Sequence, residues 1–291
     1  FFNQIYTVER VTSGQNKIDP RTPILVGQAQ VAQHEDHLAS AAGPIELMSQ
    51  AVREAFADAH VRLEGTKNSL TIDALRVVRS LSTRNTNPAR DIASTLDINA
   101  NEYGLTPHGG NMPQTLVNMT ADQILRGEVD FVVLAGGESA RTRAAVRDVD
   151  LLPWPVADNA SAPAPSHIVE DLALLNDEEM RLGIVMPVQI YPMFESAIRA
   201  RAGRNIDEHE QLISELWSRF SNVAATNEFA WRNSSLTAEQ IRNFTPKNRM
   251  IGLPYRKVMN SNNQVDMAAA LIICSVAKAT QLGIPRDKWI F

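Results

Sequence analysis

Apolar residues along this chain fall into short continuous runs and into helical stripes, and the two patterns alternate. Mainly apolar runs cover residues 23–27, 72–78 and 131–135, and glycine closes the first and the third. Runs of this length are typical of the buried strands of a parallel sheet. They predict a strand at each position, with residues 131–135 at the centre of the sheet.

A helical stripe follows each of these runs. One helix is predicted to begin at Pro44 and a second near Pro88. A third is predicted to begin at Pro113 and end at Gly127, with one face formed by Leu116, Val117, Thr120, Ile124 and Leu125. Proline suits the first turn of a helix, where its missing N–H would have no partner, and glycine suits the position after the last turn. The alternation predicts an α/β fold with a mostly parallel sheet flanked by helices.

This alternation stops near residue 146. A stretch rich in Pro, Ala and Ser at 153–165 marks the exit into an inserted, mainly helical loop domain at 147–252. We expect the α/β core to comprise 21–146 and 253–291, with a tail or tag remnant at 1–20. A further apolar run, at 268–274, predicts the return of the chain to the sheet.

Two helices are predicted inside the loop domain. One covers residues 192–202 and stops at Gly203. The other places six apolar side chains on one face: Leu212, Ile213, Leu216, Trp217, Phe220 and Val223. Apolar residues at this spacing are typical of an amphipathic helix.

Composition and charge exclude several classes of function. The chain has 28 Lys and Arg against 33 Asp and Glu without a block of like charges, so we expect neither nucleic-acid binding nor adsorption to an anionic membrane. No apolar stretch reaches the about 20 residues that a membrane span needs. The single cysteine, Cys274, forms no internal disulfide, and we expect an intracellular, cytoplasmic location.

Five short motifs in order resemble the thiolase superfamily, specifically its sterol-carrier-protein-type branch of thiolase-like acetyl-CoA acetyltransferases. They are residues 22–28 (TPILVGQ), 108–114 (HGGNMPQ), 136–138 (GGE), 227–231 (NEFAW) and 265–270 (VDMAAA). Each motif is weak alone, and their order and spacing carry the resemblance.

The resemblance implies acyl transfer between CoA thioesters in lipid or acyl-CoA metabolism, with CoA or acyl-CoA as substrate and no permanently bound cofactor. Thiolase-type proteins have two similar α/β halves, and the second supplies a catalytic histidine and a second cysteine. This chain resembles only the first half with its loop domain, so we expect a fragment or a natural half. We also expect a homodimer or higher oligomer, or a separate chain that supplies the second half.

The family's nucleophilic cysteine opens the third helix, and the equivalent position here falls at Gly110. A thiolate at a helix N-terminus has a lowered pKa, but Gly110 has no side chain. The candidate catalytic side chains are therefore His108 and Asn111. His108 is either a base or hydrogen-bond donor, or a polar loop residue. Residues 109–111 either present N–H groups to a thioester oxygen or phosphate, or form a tight turn.

Two other features point to ordinary structure. Cys274 directly follows three aliphatic residues, which indicates a buried core thiol and not a nucleophile. Residues 34–37 (HEDH) offer four potential metal ligands in a row, but no distant further ligand is identifiable. We therefore expect a solvated loop there and no metal site.

A local basic stretch marks the return from the loop domain to the core. Its members are candidates to hold CoA phosphates, or else form an ordinary solvated surface: Lys247, Arg249, Arg256 and Lys257. The alternative to an acetyltransferase is a non-catalytic acyl-CoA-binding or interaction subunit, which the missing nucleophile favours. A Rossmann-type nucleotide enzyme is discounted, because residues 27–30 (GQAQ) replace the glycine-rich turn after the first strand.

Overall fold

The computed structural model describes residues 18–34, 40–63, 71–146, 151–154, 163–173 and 175–291. In chain order its elements are β1 (Pro23–Ala32), α1 (Pro44–Asp58), β2 (Thr71–Val77), α2 (Pro88–Leu96), β3 (Asn99–Leu105), α3 (Met112–Arg126), β4 (Phe131–Ser139), α4 (Ala140–Ala145), β5 (Ser166–His167), α5 (Asp177–Arg181), α6 (Pro187–Arg201), α7 (Ile206–Ala224), α8 (Ala238–Arg242), β6 (Met250–Gly252), β7 (Tyr255–Arg256), β8 (Asp266–Ser275) and α9 (Val276–Leu282). We call α5 through β7 the inserted segment.

Within the described residues, six strands form one sheet in the order β1-β8-β4-β2-β3-β5. β2 runs parallel to both β3 and β4, and β3 runs parallel to β5. β8 is antiparallel to both of its neighbours, β1 and β4. Five strands therefore share one direction, and the predicted α/β class with a mostly parallel sheet flanked by helices is confirmed.

The prediction for the first strand was wrong in two respects. β1 does not stop at Gly27 but continues to Ala32, and it lies at the end of the strand order, paired antiparallel with β8. Gly27 instead permits a close approach of α1, since a Cβ there would lie only 2.4 Å from the carbonyl oxygen of Ala55. An apolar run reports burial and does not report the direction of the neighbouring strand.

Side chains on successive strand residues point to opposite faces of the sheet, and each face carries its own apolar cluster. On β4, Phe131 and Val133 face the larger cluster, which includes α1 and α2. Val132 and Leu134 face a smaller cluster, to which α3 contributes Leu116. Helix α3 therefore packs on the face of the sheet opposite α1 and α2.

Helix α3 has nearly the predicted bounds, since it begins at Met112 and ends before Gly127. Gly127 has a φ of 71°, a left-handed conformation that favours glycine at the end of a helix. Leu116 and Ile124 are buried, as the stripe predicted, but Leu125 is 53% exposed. The predicted apolar face therefore included one residue, Leu125, that the structure leaves exposed.

The inserted segment is helical, but its helices differ from the prediction. Helix α6 begins at Pro187 and contains Pro192, because both prolines suit a first turn and the structure uses the earlier one. Helix α7 covers the predicted stripe, yet only Ile213 among the large apolar residues of that stripe is buried. Ile213 packs with Ile241 and Met259 in a small separate cluster. The proposed domain boundaries stay a prediction.

No helix in the described part of the chain is long and apolar enough to cross a membrane.

Candidate functional site

An open cleft of about 380 Å³ lies on the α3 face of the sheet, where β2 and β4 end. Its wall includes residues of β1, β4, β8, the segment after β2 and the first turns of α3: Gln30, Val78, Arg79, Pro113, Leu116, Leu134, Ala135, Gly136, Gly137, Glu138, Val265, Met267, Ala268, Ala269, Ala270 and Leu271. Most of these are apolar. Ligands of open α/β sheets bind at the carboxyl ends of the parallel strands, and this cleft has that position.

Arg79 is the one cationic residue in the wall of this cleft. It follows β2, and its Nε donates to the carbonyl oxygen of Thr106 at 3.3 Å. Its backbone N–H donates to the Thr106 hydroxyl at 3.3 Å. These contacts tie the end of β2 to the segment that leads from β3 into α3.

Glu138 lies in the same wall and organises the loop after β2. Its carboxylate accepts hydrogen bonds from the Ser80 hydroxyl at 2.8 Å and from the backbone N–H groups of Leu81 at 2.6 Å and Ser82 at 2.8 Å. With three donors on its two oxygens, this carboxylate is satisfied within the protein. It therefore shapes the wall, and among the described residues it forms no ion pair with Arg79.

Helix α3 is anchored to the sheet by a buried arginine. Arg76 on β2 is 1% exposed, and its Nε lies 2.7 Å from Oε1 of Glu102 on β3. Its Nη1 donates to the hydroxyl of Thr120 on α3 at 3.0 Å. A buried guanidinium needs such partners, so this network sets the position of α3 and of the loop before it.

The predicted catalytic residues lie in the loop that precedes α3. His108, Gly110 and Asn111 are all exposed, and none of them lines the cleft, whereas Pro113 in the next turn does. A Cβ added to Gly110 would meet nothing within 4 Å, so this position has room for a side chain. Asn111 occupies the N-cap position without a capping hydrogen bond from its side chain.

The four residues of the basic stretch have different surroundings in the structure. Nη2 of Arg256 lies 4.0 Å from Oε2 of Glu210, and both side chains are mostly buried in the inserted segment. Lys247, Arg249 and Lys257 are exposed. None of the four lines the cleft, so their assignment to CoA phosphates stays a prediction.

Neither Cys274 nor His34, the described residue of the HEDH string, lines the cleft. Cys274 is fully buried in the cluster on the α1 face, opposite α3. Of residues 34–37, only His34 is described, and its ring stacks on Trp231 with 4.5 Å between centroids; the others lie outside the described residues. Within the described residues, no group of three or more His, Cys, Asp or Glu is placed to hold a metal ion.

Solved structures resemble this one over nearly its whole length. A monomeric SCP2-thiolase-like protein type 1 from Mycobacterium smegmatis superposes with a TM-score of 0.73 and 27% identity, over 94% of this chain and 50% of that one. The chain has a thiolase-superfamily, SCP2-thiolase-like fold. Human mitochondrial 3-ketoacyl-CoA thiolase in complex with CoA superposes with a TM-score of 0.52 and 16% identity, over 91% of this chain and 68% of that one.

The resemblance predicted from the five motifs is therefore confirmed for the fold. An Ltp2-ChsH2(DUF35) aldolase also shares this SCP2-thiolase-like fold, with a TM-score of 0.58 and 17% identity over 90% of this chain and 57% of that one. The chain spans about half the length of the SCP2-thiolase-like protein that it matches. No family model and no curated protein matches it.

Sequence reasoning missed three residues that organise the site of this SCP2-thiolase-like fold. Arg79 directly follows a predicted strand, and the rule that ligands gather at the carboxyl ends of parallel strands could have identified it. Glu138 was noted only as part of a motif. Arg76 has no such signal, because its partners Glu102 and Thr120 come from two other elements.

Proposed function

We propose that this chain binds acyl-CoA thioesters, with the acyl group in the cleft beside α3, as the acyl-CoA-recognising half of a thiolase-like acyltransferase. The observation that supports this is the apolar cleft at the N-terminal end of α3, in a fold shared with thiolases. Burial of apolar surface stabilises an alkyl chain by about 0.8 kcal/mol per methylene. The floor formed by β4 and β8 offers such a surface.

The chain's own residues favour binding over the acetyltransferase step. Thiolytic transfer needs an activated nucleophile at the start of α3, and by the resemblance to thiolases Gly110 falls at that position. Cys274 is buried on the other face of the sheet. The acyl-transfer reaction of an acetyl-CoA acetyltransferase therefore requires groups from a second half, and the non-catalytic acyl-CoA-binding subunit is the role that this chain can perform alone.

Isothermal titration calorimetry with CoA, acetyl-CoA and decanoyl-CoA tests the proposal. Decanoyl-CoA is expected to bind more tightly than acetyl-CoA, since its longer chain buries more apolar surface. Ala269→Phe fills the cleft from β8 and should weaken decanoyl-CoA binding about tenfold or more. The matched control is Ala277→Phe, which adds the same side chain at an exposed position on α9.

The same titrations locate the CoA phosphates. Arg249→Ala is expected to weaken CoA about tenfold if its guanidinium holds a phosphate, with the exposed Arg219→Ala on α7 as control. Equal decanoyl-CoA affinity for Ala269→Phe and the unchanged protein would contradict the cleft assignment. Unchanged CoA affinity in Arg249→Ala would remove the basic stretch from the site.

A further inference from the structure

Arg79 is a cation in a mostly apolar wall, and among the described residues it forms no ion pair. Its Nε is used by the carbonyl oxygen of Thr106. Among the described residues, neither of its terminal nitrogens has a hydrogen-bond or ion-pair partner, and Glu138, the acidic residue of the same wall, is occupied by the loop at 80–82. The two free nitrogens present the end of a guanidinium fork.

The geometry of a guanidinium determines which ligand group it suits. Its parallel N–H donors match the two oxygens of a carboxylate, and the paired contact is shorter and stronger than a neutral hydrogen bond. The contact of Nε with Thr106 holds the plane of the Arg79 fork and so lowers the entropy cost of binding. A thioester carbonyl has a single oxygen and no charge, and would use only part of this fork.

We propose that the cleft also binds unesterified alkyl carboxylic acids, with the carboxylate on Arg79 and the alkyl chain along β4 and β8. This ligand class combines the anionic end and the apolar body that the wall requires. The proposal rests on the proposed function only in that both place an alkyl chain in the same cleft. A free carboxylate and an acyl-CoA therefore compete for this chain.

The chemistry of these ligands connects the two binding modes. Hydrolysis of an acyl-CoA thioester yields the carboxylic acid and free CoA, and its reversal requires an activating enzyme. In a chain that binds both species, the occupancy by each follows the concentrations and affinities of the acid and the thioester. Its occupancy then depends on the class of reaction that hydrolyses or forms acyl thioesters, and not on catalysis by the chain itself.

Titration of the 291-residue chain with decanoate and with decanol separates the carboxylate contact from the alkyl contact. Arg79→Gln should weaken decanoate about tenfold, the loss of one charged contact, and change decanol less than about twofold. Arg84→Gln removes an exposed arginine outside the cleft wall and should change neither. Arg79→Lys keeps the charge and should retain more decanoate affinity than Arg79→Gln.

The outcomes distinguish this proposal from the proposed function. Loss of decanoate binding in Arg79→Gln, together with weaker binding of both probes in Ala269→Phe, supports the assignment. Equal decanoate affinity in Arg79→Gln, Arg84→Gln and the unchanged protein overturns it. Decanoyl-CoA binding without any decanoate binding also overturns it and leaves the proposed function standing. If Arg79→Gln fails to fold by circular dichroism, equal decanoate affinity in Ala269→Phe and Ala277→Phe overturns it.

Discussion

The environment of Cys274 makes its thiol unreactive. Its side chain is fully buried among apolar residues on the α1 face of the sheet. Burial, together with the nearby carboxylate of Asp130, raises the pKa of the thiol to about 12. Since the thiolate and not the thiol is the nucleophile, Cys274 stays protonated and inert at neutral pH.

Gly110→Cys is expected to create a reactive thiol where the chain has none. The added Cβ meets nothing within 4 Å, and the 15-residue helix α3 that follows favours the thiolate through its N-terminal dipole. Labelling by iodoacetamide at pH 7, followed by intact-protein mass spectrometry, should be about tenfold faster at this position than at an ordinary exposed thiol.

Ala200→Cys provides that ordinary thiol, in the last turn of α6, where the helix dipole disfavours a thiolate. The unchanged chain measures the reactivity of Cys274 and should remain unlabelled until it is denatured. Equal labelling rates for Gly110→Cys and Ala200→Cys would show that the start of α3 does not activate a nucleophile.

Asp266 gives one of the sequence motifs a structural role. Its carboxylate is fully buried and accepts hydrogen bonds from the backbone N–H of Arg141 at 3.0 Å and from the N–H and hydroxyl of Thr142 at 3.1 and 2.6 Å. It thereby satisfies two N–H groups in the first turn of α4, those of Arg141 and Thr142, which have no partner within the helix. The motif at 265–270 is thus built around a helix cap and the floor of the cleft.

At the scale of elements, the attachment of α3 to the sheet depends on Arg76. Arg76→Ala should lower the free energy of unfolding by about 3 kcal/mol, because it leaves Thr120 without its donor, breaks the pair with Glu102 and opens a cavity. The value lies at the lower end of the usual range since Glu102 is 31% exposed and can be rehydrated. Urea denaturation followed by circular dichroism measures the change.

Arg126→Ala is the matched control for this prediction. Arg126 also pairs with a glutamate, Glu128, with 2.6 Å between Nε and Oε1, but both side chains are exposed at the end of α3. Solvent-exposed pairs contribute little to stability, so this variant should unfold nearly like the unchanged protein. A similar loss in both variants would mean that the buried network does not anchor the helix.

At the scale of the whole molecule, the inserted segment leaves many large apolar side chains in contact with solvent. Those on α6 and α7 are Val188, Tyr191, Met193, Phe194, Ile198, Ile206, Leu212, Leu216, Phe220 and Val223. Leu212, Leu216, Phe220 and Val223 share one face of α7 at helical spacing. Exposed apolar patches mark surfaces that associate with another protein. The covering partner is expected to be a second copy of the chain or a chain that supplies the second half.

The purified chain is therefore expected to self-associate, and multi-angle light scattering measures its mass. Phe220→Glu on α7 should weaken the association about tenfold by burying a charge in the interface, while Ala277→Glu on α9 should not. A stable monomer at all concentrations would contradict the prediction. The M. smegmatis relative is described as monomeric, so this measurement also shows whether the two proteins differ.

Strongly periodic elements were predictable from sequence because their signals are local. The helix predicted from Pro44 is α1, which begins at that residue. The helix predicted from Pro113 to Gly127 is α3, which begins at Met112 and ends at Arg126. β3 was not predicted, since its sequence (NANEYGL) is largely polar and only its last two residues are buried. Parallel pairing with β2 on one side and β5 on the other makes it a strand.

The sequence by itself determined the α/β class, helices α1 and α3 and the absence of a cysteine at the start of α3, because periodicity and residue type belong to single segments of chain. Tertiary structure alone decided the antiparallel pairing of β1 with β8 and the pairing of Arg256 with Glu210. It also decided that Arg79 lies in the wall of an apolar cleft. These properties depend on which distant segments become neighbours, and no local pattern encodes that.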